Sequence, residues 1–329
     1  MKKSLVICGV AALALASCTQ SEVLEVNDSR AINFNAFVNK NTRAVTTVAD
    51  LNTDFYVIGY HTESPDWTSP KEAFKNEPAS TLYYWQPGHT YRFGAYADGS
   101  NGKIDNAKFD ASTSTLKFEG YTPNDSKDLV AAVSGDESGN LTGSTGNYSH
   151  DKVQLTFKHM LSQVKFTIST DAAAVYKLTI SELNIDAINQ GDGTYTAAGA
   201  SWNVASYSSS KGYSYTMANE GVISKDVPTS DVKLVLPQSN DGLKVTFKAT
   251  IAGEKPSGQT NYEKNFEAIL TYNHVDGNVW KPGFCYNYTA KVDIEDIVDK
   301  PEDLIKIEFE PTVEEWNDVT VPELTPSEK

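Results

Sequence analysis

Apolar residues at every second position, in short runs separated by Asp-Gly and Asn-Gly pairs, constrain this chain more than any other feature. Between Ala31 and Asn39 the pattern sets Ile32, Phe34, Ala36 and Val38 on one side against Asn33, Asn35 and Asn39 on the other, with Phe37 the one exception. Successive strand residues point to opposite faces, so this is the signature of a half-buried strand. Strand-like runs recur at Asp54–Tyr60, Leu82–Trp85, Tyr91–Tyr96, Lys152–Lys158, Gln163–Ser169 and Lys177–Ile185. They continue at Val232–Leu236, Leu243–Ile251, Phe266–Tyr272, Tyr286–Ile294 and Ile305–Phe309. Asp98-Gly99, Asn101-Gly102, Asp192-Gly193, Asp241-Gly242 and Asp276-Gly277 are the pairs expected where a hairpin turn needs positive φ. Long runs of 3.6 period are missing, and Asp171–Tyr176 and Asp293–Asp303 are too short for more than a helical turn. The expectation is an all-β protein.

A small internal echo suggests two units. Trp85-Gln86-Pro87-Gly88 followed by Tyr91 and Phe93 is matched at the same intervals by Trp280-Lys281-Pro282-Gly283 followed by Tyr286 and Tyr288. The separation is too long for a solenoid repeat and suits paired domains. With 329 residues, 40% of them hydrophobic, the chain has enough apolar side chain for two packed cores. The reading is two β-sandwiches divided near His159, residues 44–158 and 159–329.

The N-terminus reads as an export signal, residues 1–17, with Lys2 and Lys3 before an apolar stretch too short to span a bilayer. It ends in Leu15-Ala16-Ser17-Cys18, which resembles a bacterial lipobox, and Cys18 is the expected lipid attachment site. Cys8 lies within the signal, so Cys285 is left alone and an intrachain disulfide is excluded. The polar stretch Thr19–Arg30 is a tether. A formal charge of -15 opposes nucleic acid as a partner.

Catalytic patterns are missing. His61, His89, His150, His159 and His274 are scattered without metal-ligand spacing, and there is no nucleophile elbow, phosphate loop or dinucleotide fingerprint. Glu314 and Glu315 are adjacent, and neighbours on a strand diverge, so they read as a strand edge and not as a catalytic pair. Tyr83-Tyr84-Trp85 with Tyr207, Tyr213 and Tyr215 could stack on sugars, although β-propensity explains them as well. No enzyme activity, metal or cofactor is expected.

Several segments together carry a resemblance. They are the lipobox at Cys18, the early strand followed by Thr42-Arg43-Ala44, the run Phe157-Lys158-His159-Met160-Leu161-Ser162-Gln163-Val164-Lys165-Phe166, and Leu234-Val235-Leu236-Pro237-Gln238. The Trp280-Lys281-Pro282-Gly283 turn and Val313 with Trp316 complete the set. In this order they resemble the Bacteroides-type fimbrillins of the Mfa-like group, over the whole mature chain. The resemblance implies two transthyretin-like Greek-key β-sandwiches in tandem, exported as a lipoprotein to the outer membrane and polymerised into a type V pilus. It further implies that a surface protease cuts after an arginine, here Arg43 before Ala44. The cut would release residues 18–43, with the strand of Ile32, Phe34, Ala36 and Val38. The vacated groove would then take a strand from the C-terminal region of another pilin subunit, for which Val313, Trp316, Val319 and Val321 are the candidate residues. The implied location is the outer membrane and then the surface fimbria, with a host or glycan ligand as a further partner. The alternative is a monomeric surface lipoprotein that binds glycans.

Overall fold

The computed structural model describes residues 31–38, 55–98, 102–124, 128–138, 152–170, 177–223, 228–252, 261–270, 278–293, 297 and 304–315. Their strands, in chain order, are β1 (Phe34–Val38), β2 (Tyr56–Thr62), β3 (Lys71–Pro78), β4 (Thr90–Asp98), β5 (Ala107–Asp110), β6 (Thr115–Tyr121), β7 (Leu129–Val133), β8 (Glu137–Ser138), β9 (Val153–His159) and β10 (Ser162–Ser169). The order continues with β11 (Lys177–Ile188), β12 (Gly191–Thr196), β13 (Gly199–Asn203), β14 (Lys211–Tyr215), β15 (Val222–Ile223), β16 (Lys233–Val235), β17 (Lys244–Ala252), β18 (Asn261–Ile269), β19 (Phe284–Lys291), β20 (Leu304–Lys306) and β21 (Glu310–Glu315). The all-β expectation holds.

Four sheets result. A seven-stranded sheet runs β1-β9-β7-β4-β2-β3 with β8 beside β4, and a four-stranded sheet runs β13-β12-β6-β5. A six-stranded sheet runs β14-β11-β17-β18-β20 with β15 beside β11, and a second four-stranded sheet runs β16-β10-β19-β21. Three cores lie among them. One side of the seven-stranded sheet packs on β5, β6 and β12 through Tyr96, Phe109, Leu116, Phe118 and Tyr195. Its other side gathers Phe34, Phe55, Phe74, Phe93 and Phe157, with Trp85 and Tyr83 from the segment after β3 lying against them. The third core fills the space between the six-stranded sheet and the β10–β19 sheet, around Phe166, Phe247, Phe266 and Trp280.

The pairing does not divide at position 159. β12 and β13 lie beyond that point in sequence, yet they pair with β6 and complete its sheet. The Asp192-Gly193 pair, expected as a turn, therefore sits inside β12. A side chain at Gly193 would come within 2.8 Å of the Trp202 ring, so the glycine is there to let the indole lie flat on the strand. The Asp192 carboxylate accepts from the Gly120 N–H at 2.8 Å and the Tyr207 hydroxyl at 2.7 Å. The expected strand Leu82–Trp85 is also corrected. It supplies only an isolated bridge from Tyr84 to Ala31, because the chain must bury Trp85 and turn at Pro87-Gly88. Of Ile305–Phe309, only its beginning is strand, within β20.

The run Phe157–Phe166 carries the chain from one core system to the next. β9 ends at His159, whose ring bonds the buried Asp128 carboxylate, and β10 begins at Ser162. Between them Met160 and Leu161 are fully buried, and buried backbone must be paired. The Met160 N–H donates to the Leu129 carbonyl at 2.8 Å, the Trp202 indole donates to the Met160 carbonyl at 2.7 Å, and the Gly283 N–H donates to the Leu161 carbonyl at 2.8 Å. The Ser162 hydroxyl donates to the Lys281 carbonyl at 2.7 Å.

The echo seen in the sequence is a shared geometry. The Tyr91 hydroxyl accepts from the Gln86 N–H at 2.7 Å, and the Tyr286 hydroxyl accepts from the Lys281 N–H at 2.8 Å. Gly88 and Gly283 both sit at φ 79, where a Cβ is unfavourable. Each motif is a tyrosine corner with a buried tryptophan, placed at the start of a central strand. We expect Tyr91→Phe and Tyr286→Phe each to cost about 1 kcal/mol, the worth of one hydrogen bond, seen as a lower urea midpoint with unchanged slope.

Candidate functional site

The first strand lies at the end of the seven-stranded sheet. β1 pairs parallel with β9 from Phe34↔Val153 to Val38↔Phe157, and among the described residues its other edge has no strand beside it. β3 ends the same sheet on the far side. The sheet nevertheless curls until its two ends meet, because the Phe34 ring packs edge-on at 5.4 Å against Phe74 of β3. Phe34 also meets Phe93 at 5.3 Å and Phe55 at 6.1 Å, again edge-on, the favoured geometry for aromatic pairs. Just before β1 the Ile32 N–H donates to the Tyr83 carbonyl at 2.8 Å, and Ala31 bridges Tyr84. β1 thus closes a seam between β9 on one side and the segment after β3 on the other. Alternation does the rest, with Ile32, Phe34 and Ala36 buried and Asn33 exposed.

The C-terminal segment divides between two sheets. β20 pairs parallel with β18 through Asn265↔Leu304 to Glu267↔Lys306, and Ile305 is buried. The Ile307 N–H donates to the Glu267 carbonyl at 3.0 Å, and the chain then crosses the open end of the third core. There Phe309 packs edge-on against Phe166 of β10 at 5.4 Å and approaches Phe247 of β17 at 6.4 Å. β21 finally pairs antiparallel with β19, from Phe284↔Glu315 to Thr289↔Glu310, as the last strand of its sheet. Val313 is half-buried against the third core and Glu314 is exposed. Glu314 lies opposite Cys285, a free, half-buried thiol whose pKa is raised by burial. The adjacent carboxylates belong to a regular antiparallel edge.

The remaining expected site residues fall elsewhere. Cys18, Arg43, Ala44, Trp316, Val319 and Val321 lie outside the described residues, as does the side chain of Val38. Among the described residues no group of three His, Cys, Asp or Glu side chains is placed to hold a metal ion. The aromatics considered for sugar stacking are mostly used internally. Trp85, Tyr213 and Tyr215 are buried, Tyr83 packs on Phe74 and donates to Glu77, and Tyr207 donates to Asp192. Tyr84 is exposed. Phe55, Phe74 and Phe93, which box in Phe34, were not identifiable as its partners, since nothing local in sequence joins them.

The fold is shared with a solved protein. A fimbrial protein from Bacteroides vulgatus, solved by crystallography, is 18% identical, with the similarity covering 88% of this chain and 100% of that one at a TM-score of 0.55. The fimbrial anchor protein Mfa2 from Porphyromonas gingivalis is 11% identical, covering 88% of this chain and 98% of that one at a TM-score of 0.37. No curated protein sequence is significantly similar. The sequence model of the fimbrillin-like family matches residues 27–316, nearly all of the chain described above, and on that match the chain belongs to the fimbrillin-like family.

Proposed function

We propose that this chain is a subunit of a cell-surface fimbria, exported as a lipoprotein on Cys18, cut between Arg43 and Ala44, and joined to other subunits by strand exchange. The observation that carries the reading is β1. It is an end strand bound along one edge, yet it inserts Phe34 between the two ends of a curled sheet. Burying a side chain such as Ile32 or Phe34 is worth roughly 1.5–3 kcal/mol, so a subunit without β1 would gain several kcal/mol by accepting a replacement strand. The acceptor also needs its open backbone edge paired, which an incoming strand does at the same time.

Two arginines precede alanine in this region, and they differ in what they offer a protease. Ala31 is buried and bridged to Tyr84, so cleavage after Arg30 would require the start of the strand to leave the fold. Cleavage after Arg43 lies beyond β1 and would free tether and strand together. The C-terminal region is the natural donor. β21 sits at a sheet end with Val313 only half-buried, so it is held less firmly than β1 and is easier to detach. The two tandem sandwiches, in this reading, are the unit around β1 to β9 completed by β12 and β13, and the unit around β10, β11 and β14 to β21. Among the described residues a glycan-binding monomer has no comparable structural feature behind it.

Three outcomes are expected. Cys18→Ala should lose incorporation of labelled palmitate and membrane association, and label retained in that variant would contradict the anchor. Arg43→Ala should accumulate as uncut, lipidated monomer, read by N-terminal sequencing and by the absence of SDS-resistant ladders. Ordinary polymers from this variant would contradict the maturation step. Deleting Thr312–Lys329 should leave export and cleavage intact while shortening polymers, and polymers of normal length would remove this region as donor.

A further inference from the structure

The end of the seven-stranded sheet carries a buried pair of histidines that the fimbrial reading does not use. His61 at the end of β2 and His89 just before β4 place their Nδ1 atoms 2.7 Å apart, with ring centroids at 4.7 Å. Their exposures are 5% and 9%. His61 stacks on Tyr91 at 5.2 Å, and His89 turns its Nε2 to the Glu63 carboxylate at 3.1 Å.

Counting protons shows what this pair tolerates. The ionised Glu63 carboxylate only accepts, so the His89 Nε2 carries a hydrogen. A neutral His89 then offers a bare Nδ1, and the hydrogen in the 2.7 Å contact belongs to His61. One added proton can be accommodated, on the His61 Nε2, with the His61 Nδ1–H still donating to His89. A second added proton sets N–H against N–H and two positive rings in contact, and the contact cannot survive.

A strained segment follows His61 in the chain. Residues 63–70 connect β2 to β3, and Trp67 within them sits at φ 53, the left-handed region that a bulky side chain avoids. Trp67 is nonetheless buried, with the Arg92 guanidinium 4.4 Å from its ring centroid on the face of the sheet opposite His61. Arg92 is itself fixed, donating to the Ala111 carbonyl at 2.7 Å and pairing with Asp136. The segment is therefore clipped at two points, Glu63 to His89 and Trp67 to Arg92.

We propose that the His61–His89 pair is an acid-sensitive latch, which holds the end of β2 against the turn before β4 and lets the two part when the pair takes up its second proton. Charged and titratable groups of both signs surround it. Lys71, opposite His61 on β3, adds positive charge, and Glu63 opposes it. Tyr91 lies beneath on β4, with Glu137 of β8 across from it, and the Arg92–Asp136 pair lies on the other face. Burial first, then His89 and Lys71, hold the His61 pKa below its ordinary value, with Glu63 working the other way. A histidine with a lowered folded-state pKa binds fewer protons folded than open. The closed form is thus fully favoured above the ordinary imidazole value, about 6.5, and is weakened as pH falls below it. The inference does not depend on strand exchange.

Hydrogen exchange followed by mass spectrometry on the full chain tests it. Between about pH 6.5 and the lower folded-state value, opening of the backbone around His61 and His89 should rise about tenfold per pH unit after correction for intrinsic chemistry, while β9 and β10 stay protected. His61→Gln and His89→Gln should each flatten this dependence. Unchanged protection in the native chain, or the same acid loosening in both variants, would overturn the latch. Ring nitrogen spectra of the native chain give a reading that needs no variant. Hydrogen on His61 Nδ1 and on His89 Nε2 at neutral pH supports the pair, and two independent rings titrating near the ordinary value overturn it.

Discussion

The passage of the chain through His159, Met160, Leu161 and Ser162 is the constraint on which the rest of the molecule depends. Two fully buried residues in a connection are unusual, since a buried loop must find partners for its backbone. Here those partners come from widely separated parts of the sequence, Leu129, Trp202 and Gly283, and the Ser162 hydroxyl adds Lys281. The sheet containing β12 and β13 must be formed to bring Trp202 to Met160. The second tyrosine corner must be formed to bring Gly283 to Leu161. The motif is thus a junction whose completion requires both core systems, and its residue types follow from that. Small Ser162 allows close approach, and His159 with Asp128 supplies a buried hydrogen-bonded pair at the same place.

β1 shows a different use of the same chemistry. Its sheet could have been sealed by a hairpin, but the closing strand comes from the N-terminal side and pairs parallel, with its first contacts made to a segment that is not strand. An aromatic ring then meets the far end of the sheet. A sealing element fixed in this way contributes apolar burial without being part of a continuous meander, which is why it can be regarded as separable. The C-terminal strand seals another open end by similar means, with Phe309 as its wedge.

How much of this was legible follows from particular residues. Where a strand has one wet face the alternation is plain, as in β9 and β10, whose buried and open positions alternate throughout. β1 was legible for the same reason. β7 was not, because Leu129-Val130-Ala131-Ala132 is buried on both faces and has no alternation to read. β12 was hidden by its glycines, and β3 by its charges and by irregular register against β2. β21 carries Pro311 and three glutamates, so its strand character was read only around Val313 to Glu315, and pairing with β19 sets its extent. Of the candidate site, the apolar face of β1 could be read, but its partners Phe55, Phe74 and Phe93 could not. Nor could the histidine pair be found, since a separation of 28 residues has no local signature.

The short segment Leu234-Val235-Leu236 has a consequence for how the molecule is read as a whole. Leu234 and Leu236 enter the core that contains Tyr96 and Leu116, whereas Val235 enters the core around Phe166. Beyond them the Gln238 side chain accepts from the Ile188 N–H at 3.0 Å and donates to the Ile188 carbonyl at 2.7 Å, which fixes the segment lengthwise. A slip of one residue would exchange the contents of two interiors at once, placing leucines where a valine fits and leaving the other side underfilled. A mistake in either interior is therefore reported to the other, so the two halves share one proofreading step and neither can settle into an incorrect packing alone.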